Sequence, residues 1–338
     1  MKKTVLSLMI TALSISAAAQ TSQPAATDNA PPPAERTITV RDAAILGFVQ
    51  GVTEFLPVSS TGHLILAGHA LGLTEYGQER GPLGRKLEES TAISAFDIVL
   101  HLGTLVAVVG LYRRRIGQMI VGVFGGAPAL LKGPAARGQL STDQRQGLKL
   151  LALLVVAFLP AALVGAVFKK HIEENLYSPM PVAYALIAGG VFMMTAEFHY
   201  RRTPGRKRFG LDDMTVWHAL AIGLAQTLAM WPGTSRSMMT IVVGLLLGLN
   251  MLAAAEFSFL LSLPTIAAAT LYEGYKNHGA LLETAGLPAL AVGLLVSAVV
   301  AVVAIKAFIG WLTKHGLTPF GVYRILLAAA VIWYFSGR

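Results

Sequence analysis

The chain has 338 residues, of which 54% are hydrophobic and 13% are charged. Soluble globular domains carry about 25% charged residues, so this composition excludes an ordinary soluble protein and also a disordered one. The formal net charge is +9, but Lys and Arg cluster at the ends of apolar segments, where membrane topology explains them, and no nucleic-acid partner is expected. The chain has no Cys, which excludes disulfides, thiolate metal sites and a cysteine nucleophile.

The N-terminal region predicts an export signal followed by a linker. Two lysines precede the apolar stretch Val5–Ala17 and a group of small residues, which is the pattern of a secretory signal with its cleavage site. We therefore expect a signal peptide over residues 1–19, with an uncleaved anchor helix as the alternative. Residues 20–40 are rich in Pro, Ala and Thr and are expected to form a disordered tether outside the cytoplasm.

Six later segments are apolar over the length of a membrane-spanning helix, which is about 20 residues. They are Ile93–Tyr112, Leu148–Phe168, Val182–Phe198, Ala253–Tyr272, Leu287–Leu312 and Phe320–Phe335. Recurrent apolar runs of this length predict an all-α polytopic membrane protein with six transmembrane helices.

Two further apolar segments, residues 43–73 and 214–249, are interrupted in the middle by a proline and small polar residues. The interruptions are Pro57–Gly62 and Pro232–Ser237. Backbone groups without helical partners are tolerated at membrane depth only where protein or a wet cavity satisfies them. We therefore expect both segments to be re-entrant helical hairpins.

The distribution of basic residues orients these elements in the membrane. The loops after the first and third spans are rich in Arg and Lys, whereas the loops on the opposite side mix basic with acidic residues. By the positive-inside rule the basic loops lie in the cytoplasm. With two hairpins that do not cross, both termini then lie outside, in agreement with an exported N-terminus. Counting either hairpin as a full span would break this agreement.

Each half of the chain, residues 41–200 and 201–338, therefore contains one hairpin and three spans. Because three is odd, the second half is expected to be inserted upside down relative to the first. Similar sequences support this repeat: Gly47–Gln50 resembles Gly223–Gln226, and each precedes a Pro-x-x-Ser sequence. Inverted repeats with broken helices form sites where the two halves meet, so this fold predicts a site without naming its chemistry.

The first interruption gathers residue types that suit phosphate chemistry. Gln50 and Glu54 are four residues apart and share one helix face, and a carboxylate at this depth is costly without a partner. The hydroxyl residues Ser59–Thr61 would cap the returning helix, whose N-terminus favours an anion. His63 lies three residues after Ser60, where its ring could reach the hydroxyl as a base.

The second interruption adds a cation. Arg236 lies between Ser235 and Ser237 at the start of another returning helix, and a guanidinium suits bidentate binding of phosphate. Together, an acid, a His, hydroxyls and an Arg at the two interruptions suggest phosphoryl transfer. Each has a plainer interpretation: the hydroxyls as helix caps, His63 as a packed core residue, and Glu54 as an ion-coupling carboxylate.

Other polar residues in the apolar segments are expected to be structural. His69 and His101 lie away from the two interruptions. Asp97 and Glu256 fall near the start of two spans, where carboxylates often cap helices, although Glu256 could also help to line the site.

At the two interruptions the sequence resembles the undecaprenyl-diphosphate phosphatase family of bacterial inner membranes, which is also known for bacitracin resistance. Gln50–His63 reads QGVTEFLPVSSTGH and fits the family's Glu/Gln-x-x-x-Glu motif with the Pro-Val-Ser-Ser-Thr-Gly-His that follows. Trp231–Ser237 reads WPGTSRS and fits its Pro-Gly-x-Ser-Arg-Ser motif. The stretches Gly210–Met214 and Ala255–Leu261 are also similar to family sequences, and by architecture the resemblance covers residues 42–335.

The resemblance implies a multi-pass hydrolase that converts undecaprenyl diphosphate to undecaprenyl phosphate, recycling the lipid carrier of cell-wall synthesis. It also implies a site open to the outer, periplasmic face and dependence on a divalent cation, Mg²⁺ or Ca²⁺. Glu54 would take the essential acidic role at the metal. Ser60 would be the nucleophile, His63 its activator and Arg236 the phosphate clamp. Where many members carry Glu, this chain has Gln50, a neutral and doubtful metal ligand. Further phosphate contacts would be Ser59, Thr61, Gly233, Ser235 and Ser237.

The expected partners are a polyprenyl diphosphate substrate and membrane lipids, and a homodimer is compatible with the sequence. Two mechanisms remain open: Ser60, deprotonated by His63, attacks the terminal phosphorus, or a metal-bound water attacks and Ser60 only binds phosphate. The alternative function is a membrane transporter or flippase, in which Glu54 and Arg236 bind a carried ion or lipid phosphate. Hydroxyls beside a His favour the enzyme.

Overall fold

The computed structural model describes residues 37–81, 84–89, 91–126, 129, 138–176, 178–203, 207–276 and 285–336. The predicted signal peptide, residues 1–19, and the predicted tether up to residue 36 lie outside the described residues. Within them the regular elements are helices apart from one antiparallel hairpin, β1 (Thr74–Gly81) and β2 (Gly84–Glu89). The sequence predicts a loop at this position, so the hairpin is a difference from the expectation.

The helices include every predicted span and both arms of each predicted hairpin. In chain order they are α1 (Val40–Thr53), α2 (Ser60–Ala70), α3 (Thr91–Leu111), α4 (Arg113–Val121), α5 (Thr142–Leu176), α6 (Pro179–Arg202), α7 (Val216–Thr227), α8 (Arg236–Leu247), α9 (Met251–Lys276), α10 (Leu287–His315) and α11 (Thr318–Ser336). Short turns of other helix types are Gly122–Gly126, Leu211–Asp213 and Leu228–Met230.

Five of these helices are long and apolar enough to cross a membrane, namely α5, α6, α9, α10 and α11. A sixth candidate is α3 together with α4, which are bent by 78° after Leu111. The predicted fold class, a helical multi-pass membrane protein, is therefore confirmed. Helix α4 was not predicted, because it begins with Arg113–Arg115 and basic residues next to a span were interpreted as a loop.

The two predicted hairpins, residues 43–73 and 214–249, are pairs of helices whose arms pack against each other. Their breaks share one backbone conformation: Ser59 has φ 73° and ψ 97°, and Ser235 has φ 73° and ψ 114°. Each of these serines accepts a hydrogen bond from the backbone amide three residues later. A positive φ is unfavourable for a residue with a side chain, so the same strained helix cap occurs twice. That the hairpins enter and leave by one membrane face stays a prediction.

The two halves pack on each other reciprocally. Helix α1 of the first half packs on α10 of the second, and α7 of the second half packs on α5 of the first. Gly47 permits the first contact and Gly223 the second, because a Cβ on either would press against the backbone of the facing helix. These glycines are matching positions of the two similar sequences. On this pattern we propose that residues 41–200 and 201–338 are inverted structural repeats.

A row of buried aromatic rings lies behind the first break. The ring of Phe55 packs edge-on against Phe259 of α9, with centroids 5.5 Å apart. Phe259 contacts Phe308 of α10, which in turn contacts Phe320 of α11. Edge-to-face pairs of this kind contribute about 0.5–1.5 kcal/mol each beyond their buried area. The row therefore fixes the chain next to Glu54 against three helices of the second half.

Alanine at either close-packed glycine is expected to destabilise the protein, because the added methyl group has no space against the facing helix. We expect Gly47→Ala and Gly223→Ala each to cost about 1–3 kcal/mol, measured as a lower thermal unfolding midpoint in detergent. The matched control is Gly110→Ala in α3, where a Cβ meets nothing within 4 Å and Ala is the better helix former. Equal midpoints for the three variants would contradict the close helix contact.

Candidate active site

The carboxylate of Glu54 lies at the centre of the candidate site. Glu54 caps the C-terminus of α1, and its side chain is only 7% exposed. Its Oε1 accepts a hydrogen bond from Arg236 Nη2 at 3.1 Å. Its Oε2 accepts from Ser60 Oγ at 2.7 Å and from Gln50 Nε2 at 3.2 Å. Three donors from the two hairpins therefore converge on one buried acid.

The second break is fastened to the first by two consecutive residues of α8. Arg236, whose Nη2 contacts Glu54, also donates from Nη1 to the carbonyl oxygen of Ser258 in α9 at 3.0 Å. Ser237 is buried, and its hydroxyl donates to the carbonyl oxygens of Glu54 at 3.3 Å and Leu56 at 3.1 Å. The guanidinium is thus held in one orientation, which reduces the entropy lost when it binds a ligand.

A cavity of about 250 Å³ opens in front of Glu54. Helix α2 begins at its wall with Ser60 and Thr61, and α8 begins there with Arg236. Helix N-termini present unpaired N–H groups and the positive end of the helix dipole, so the side of the cavity where α2 and α8 begin beside the guanidinium is suited to an anion. The acidic residues of the lining are Glu54, Asp97 and Glu273. Polar residues of α3 and α9 complete the wall: Asp97, His101, Thr265, Thr270 and Glu273.

The residues predicted to contact phosphate divide into two groups. Ser59, Thr61, Gly233 and Ser235 line the cavity, and the hydroxyls of Ser59 and Ser235 also cap α2 and α8. Ser237 forms the second group, whose member is absent from the cavity lining. Both contacts of its hydroxyl to the first hairpin are to backbone carbonyls. Its part is to join the hairpins rather than to face the cavity.

His63 does not occupy the position expected from the sequence. Its Nδ1 lies 2.7 Å from the carbonyl oxygen of Ser59, and its Nε2 lies 2.7 Å from the hydroxyl of Tyr323. Residues three apart share a helix face, but Ser60 is the first residue of α2 and its hydroxyl turns back to the acid of α1. The expected pair of Ser60 with His63 is therefore corrected to a pair of Ser60 with Glu54.

Two cavity residues were expected to be structural. His101 Nε2 lies 3.7 Å from Glu54 Oε2. His101 Nδ1 lies 2.8 Å from the carbonyl oxygen of Asp97 and 3.3 Å from its Oδ1. Asp97 does not cap α3, which begins at Thr91. The spacing of Asp97 and His101 was the signal that could have identified them, because side chains four apart share a helix face.

The other two residues expected to be structural lie away from the cavity. Glu256 accepts a hydrogen bond from Arg115 Nε at 2.9 Å, and the residue whose side chain caps α9 is Asn250. Glu256 is therefore neither a helix cap nor part of the cavity wall. His69 contacts the rings of Tyr334 and Phe335, as expected for a packing residue.

Comparison with known proteins identifies the family. The sequence matches the family described as bacitracin resistance protein BacA over residues 43–330. The chain belongs to the BacA family. An undecaprenyl-diphosphatase of Sorangium cellulosum is 45% identical over 293 residues, which are 86% of this chain and 85% of that protein. An undecaprenyl-diphosphatase 2 of Rhodospirillum rubrum is 43% identical over 290 residues, which are 86% of this chain and 93% of that protein.

Membership of the BacA family, with relatives named as phosphatases, suggests dependence on a divalent cation. Among the described residues no three acidic or His side chains are close enough to hold an ion by themselves. Glu54 at the cavity wall nevertheless fits Mg²⁺, which is often held by one or two carboxylates together with substrate phosphates and water. Gln50 lies behind Glu54, fully buried and outside the cavity wall, and its Oε1 has no hydrogen-bond partner in the described structure.

One buried arginine, which does not line the cavity, joins the two breaks of this BacA-family protein. Arg324 of α11 is fully buried. Its guanidinium donates to the carbonyl oxygens of Pro57 in the first break, at 3.2 Å, and of Gly233 in the second, at 2.8 Å. Two further bonds reach Ala185 and Leu186 of α6. No motif indicated Arg324. The feature of the sequence that could have identified it was a charged side chain inside a predicted span.

Replacing Arg324 is expected to weaken the fold around both breaks. Arg324→Met removes donors from buried carbonyls, and each carbonyl left unsatisfied costs about 1–3 kcal/mol. We expect a lower unfolding midpoint and faster proteolysis at the breaks, with Arg324→Lys intermediate because Lys retains fewer donors. Arg41→Met, at an exposed position of α1, is the control. If Arg324→Met and Arg41→Met have the same midpoint, Arg324 does not hold the breaks.

Proposed function

We propose that the protein is an undecaprenyl-diphosphate phosphatase, an integral membrane hydrolase that yields undecaprenyl phosphate and inorganic phosphate. The observation that carries the proposal is the convergence of Ser60 and Arg236 on Glu54, at a cavity where two helices begin. A diphosphate is strongly anionic, and phosphoryl transfer is accelerated chiefly by positioning and charge stabilisation. Relatives bearing this name match most of the chain.

The substrate also has a long apolar tail that must reach lipid. Ala229 lines the cavity beside the second break, and Leu228 and Trp231 on either side of it are exposed. These side chains would guide the prenyl chain from the cavity to the surrounding acyl chains. The phosphates would then lie at the N-termini of α2 and α8, with Arg236 as the clamp and with Ser59, Thr61, Gly233 and Ser235 as further contacts.

The hydrogen bond from Ser60 to Glu54 favours the covalent mechanism. As the bond from Ser60 Oγ to the terminal phosphorus forms, the hydroxyl proton passes to Glu54. The bond from that phosphorus to the bridging oxygen breaks, and undecaprenyl phosphate leaves with the electron pair. Water then attacks the phosphoserine, and Ser60 Oγ leaves with the proton held by Glu54, which releases inorganic phosphate. In the alternative, water attacks directly, Glu54 takes its proton and Ser60 only binds phosphate.

His63 acts as a positioning residue in this proposal. Its Nδ1 carries the hydrogen, since a carbonyl oxygen can only accept, and its Nε2 accepts from the Tyr323 hydroxyl. The ring therefore holds the strained backbone of Ser59 and, with it, the start of α2. Loss of His63 would disturb the placement of Ser60 rather than remove its proton acceptor.

Phosphate release from undecaprenyl diphosphate by the purified protein in detergent tests the proposal. We expect Glu54→Gln and Arg236→Ala to lower turnover by about 100-fold or more, because each removes a group that stabilises charge in the transition state. Glu256→Gln and Arg41→Ala change the same residue types away from the cavity and should remain active. A folded wild-type protein that binds the lipid but releases no phosphate would overturn the proposal in favour of the transporter.

The same assay separates the two mechanisms. In the covalent route Ser60→Ala loses the nucleophile, so turnover should fall to the background level while Glu54 and Arg236 remain in place. Substantial turnover by Ser60→Ala would rule out the covalent route and leave direct attack by water.

A divalent cation, Mg²⁺ or Ca²⁺, belongs to the proposal, with Glu54 as its carboxylate ligand and Gln50 holding that carboxylate from behind. When bound, the cation would neutralise charge on the diphosphate. We expect EDTA to abolish phosphate release and added Mg²⁺ or Ca²⁺ to restore it. As a control, zinc-selective chelation should have no effect. Full activity in EDTA after extensive dialysis would contradict a role for the cation.

We propose that the chain lies in the bacterial inner membrane with both termini on the periplasmic side, as the basic loops predict. The cavity would open to the same side, as the family resemblance implies. A homodimer stays a prediction, since the exposed apolar side chains of the spans suit lipid as well as a second copy. Accessibility of residues introduced near each terminus to a membrane-impermeant reagent tests the orientation.

A further inference from the structure

We propose that α4 lies along the membrane surface and binds the headgroups of anionic phospholipids through Arg113 and Arg114. The inference goes beyond the proposed phosphatase activity and does not rest on it. Neither arginine lies in the two motifs at the breaks or lines the cavity. The partner is defined by its chemistry, a phosphodiester with net negative charge at the boundary between water and acyl chains.

The direction of α4 follows from its bend against α3. Helix α3 has 21 residues and is therefore about 31 Å long, which matches the hydrocarbon core of a bilayer at about 30 Å. It can cross this core without any residue of α4. The chain bends by 78° after Leu111, and spanning helices are tilted by only about 20° on average. Helix α4 therefore lies closer to the membrane plane than to the membrane normal.

Contacts with α5 set the depth of α4. Gly122, directly after α4, lies so close to α5 that a Cβ there would be 2.7 Å from the backbone nitrogen of Leu148. Gly147 of α5 in turn lies against the backbone carbonyl of Gln118 in α4. Residues 142–147 of α5 are polar or glycine, and the apolar run of this spanning helix begins at Leu148. Helix α4 is therefore fixed at the level where α5 enters the apolar part of the membrane.

The exposed face of α4 and of the turn after it carries two kinds of side chain. Arg113 and Arg114 are exposed in the first turn. Ile120, Val121 and Phe124 further along are 52%, 48% and 79% exposed. Residues seven apart share a helix face, so Arg113 lies on the side of Ile120 and Arg114 on the side of Val121. One face thus combines two guanidiniums with a group of apolar side chains.

The third arginine of the run differs from the first two. Arg115 bonds to Glu256 at 2.9 Å and to Asp212 at 3.2 Å. The guanidiniums of Arg113 and Arg114 form no hydrogen bond or ion pair with any residue that the structure describes. Two cations at the membrane boundary are thus available to an external anion. Helices of this kind insert their apolar side chains among acyl chains and attract anionic lipids with their basic side chains.

The apolar side chains favour a phospholipid over a soluble anion. An inorganic phosphate could neutralise Arg113 and Arg114, but it would leave Phe124 in water, and exposing an apolar side chain to water is unfavourable. An anionic phospholipid supplies a phosphate for the guanidiniums and acyl chains for Ile120, Val121 and Phe124. Arginine can also donate two parallel hydrogen bonds to one phosphate. These features together select a lipid headgroup as the partner.

Titration of phosphatidylglycerol into the purified protein in a neutral detergent tests the role of charge. The unfolding midpoint should rise with added lipid and so give an apparent Kd. Because each basic residue near an anionic membrane surface contributes about fivefold in affinity, we expect Arg113→Gln/Arg114→Gln to raise this Kd about 25-fold. The matched control, Arg113→Lys/Arg114→Lys, keeps both charges and should stay within about threefold of wild type.

Two other ligands separate the sources of phosphate in the same titration. Phosphatidylcholine has no net charge and inorganic phosphate has no acyl chains, so neither should distinguish wild type from Arg113→Gln/Arg114→Gln. Equal Kd values of these two proteins for phosphatidylglycerol would overturn the inference. So would an equally large effect of the double variant on inorganic phosphate, because the arginines would then bind a free anion.

A spin label tests whether the apolar part of the face enters the lipid. The chain has no Cys, so a single introduced Cys in vesicles of phosphatidylglycerol and phosphatidylcholine carries the only label. At Phe124→Cys the label should collide more with oxygen, which is concentrated among acyl chains, than with a water-soluble nickel complex. Gly138→Cys is the control in the polar segment before α5, where a Cβ meets nothing within 4 Å, and it should show the reverse.

Two results of the labelling would contradict the inference. If Phe124→Cys behaves like Gly138→Cys, the exposed face of α4 lies in water. If its label is protected from both reagents, protein covers this face, and a second copy of the chain would be the occupant instead of lipid.

Discussion

A helix that breaks inside a membrane leaves backbone carbonyls with neither helical partners nor water, and Arg324 supplies donors to both such breaks at once. Its guanidinium bonds to Pro57 in the first break and to Gly233 in the second. A buried cation is itself costly, but several carbonyl dipoles share its charge. The two breaks therefore meet at one depth in the fold, and the other contacts of the site depend on that meeting.

Because the breaks meet, the pair of Glu54 and Arg236 acts as an internal substitute for the ligand. The carboxylate of Glu54 accepts the hydrogen bond of Arg236 that a phosphate would accept. A phosphate would therefore have to compete with Glu54 for the guanidinium. In the proposed function, this competition would weaken binding of the substrate in its ground state. It is consistent with a catalyst, since interactions that strengthen only as charge develops raise the rate rather than the affinity. The same pair keeps two buried charges neutral when the cavity holds no anion.

The sequence alone predicted those features of the fold and the site whose signals lie within a short stretch of the chain. Apolar runs identified the spans, and proline with small polar residues identified the breaks, because both signals lie within about 20 residues. Glu54, Ser60 and Arg236 followed from the two motifs. Arg324 did not, since its partners lie far along the chain. His101 did not either, because its spacing from Asp97 indicates a shared helix face but not that this face meets the first hairpin. His63 was misplaced because helical spacing gives a shared face but not the direction of the first side chain in a helix.

The contacts between α3 and α9 indicate how the cavity is reached. Asp97 and His101 line it from the first half of α3, and Thr270 from the last part of α9, so these antiparallel helices leave space at that end. At the opposite end Arg115, just after α3, bonds to Glu256 at 2.9 Å and to Asp212 at 3.2 Å, which holds the helices together. A transport cycle would have to break this ion-paired contact and separate the helices there. Hydrolysis would require no such step, because substrate and products would enter and leave at the end that Asp97, His101 and Thr270 line.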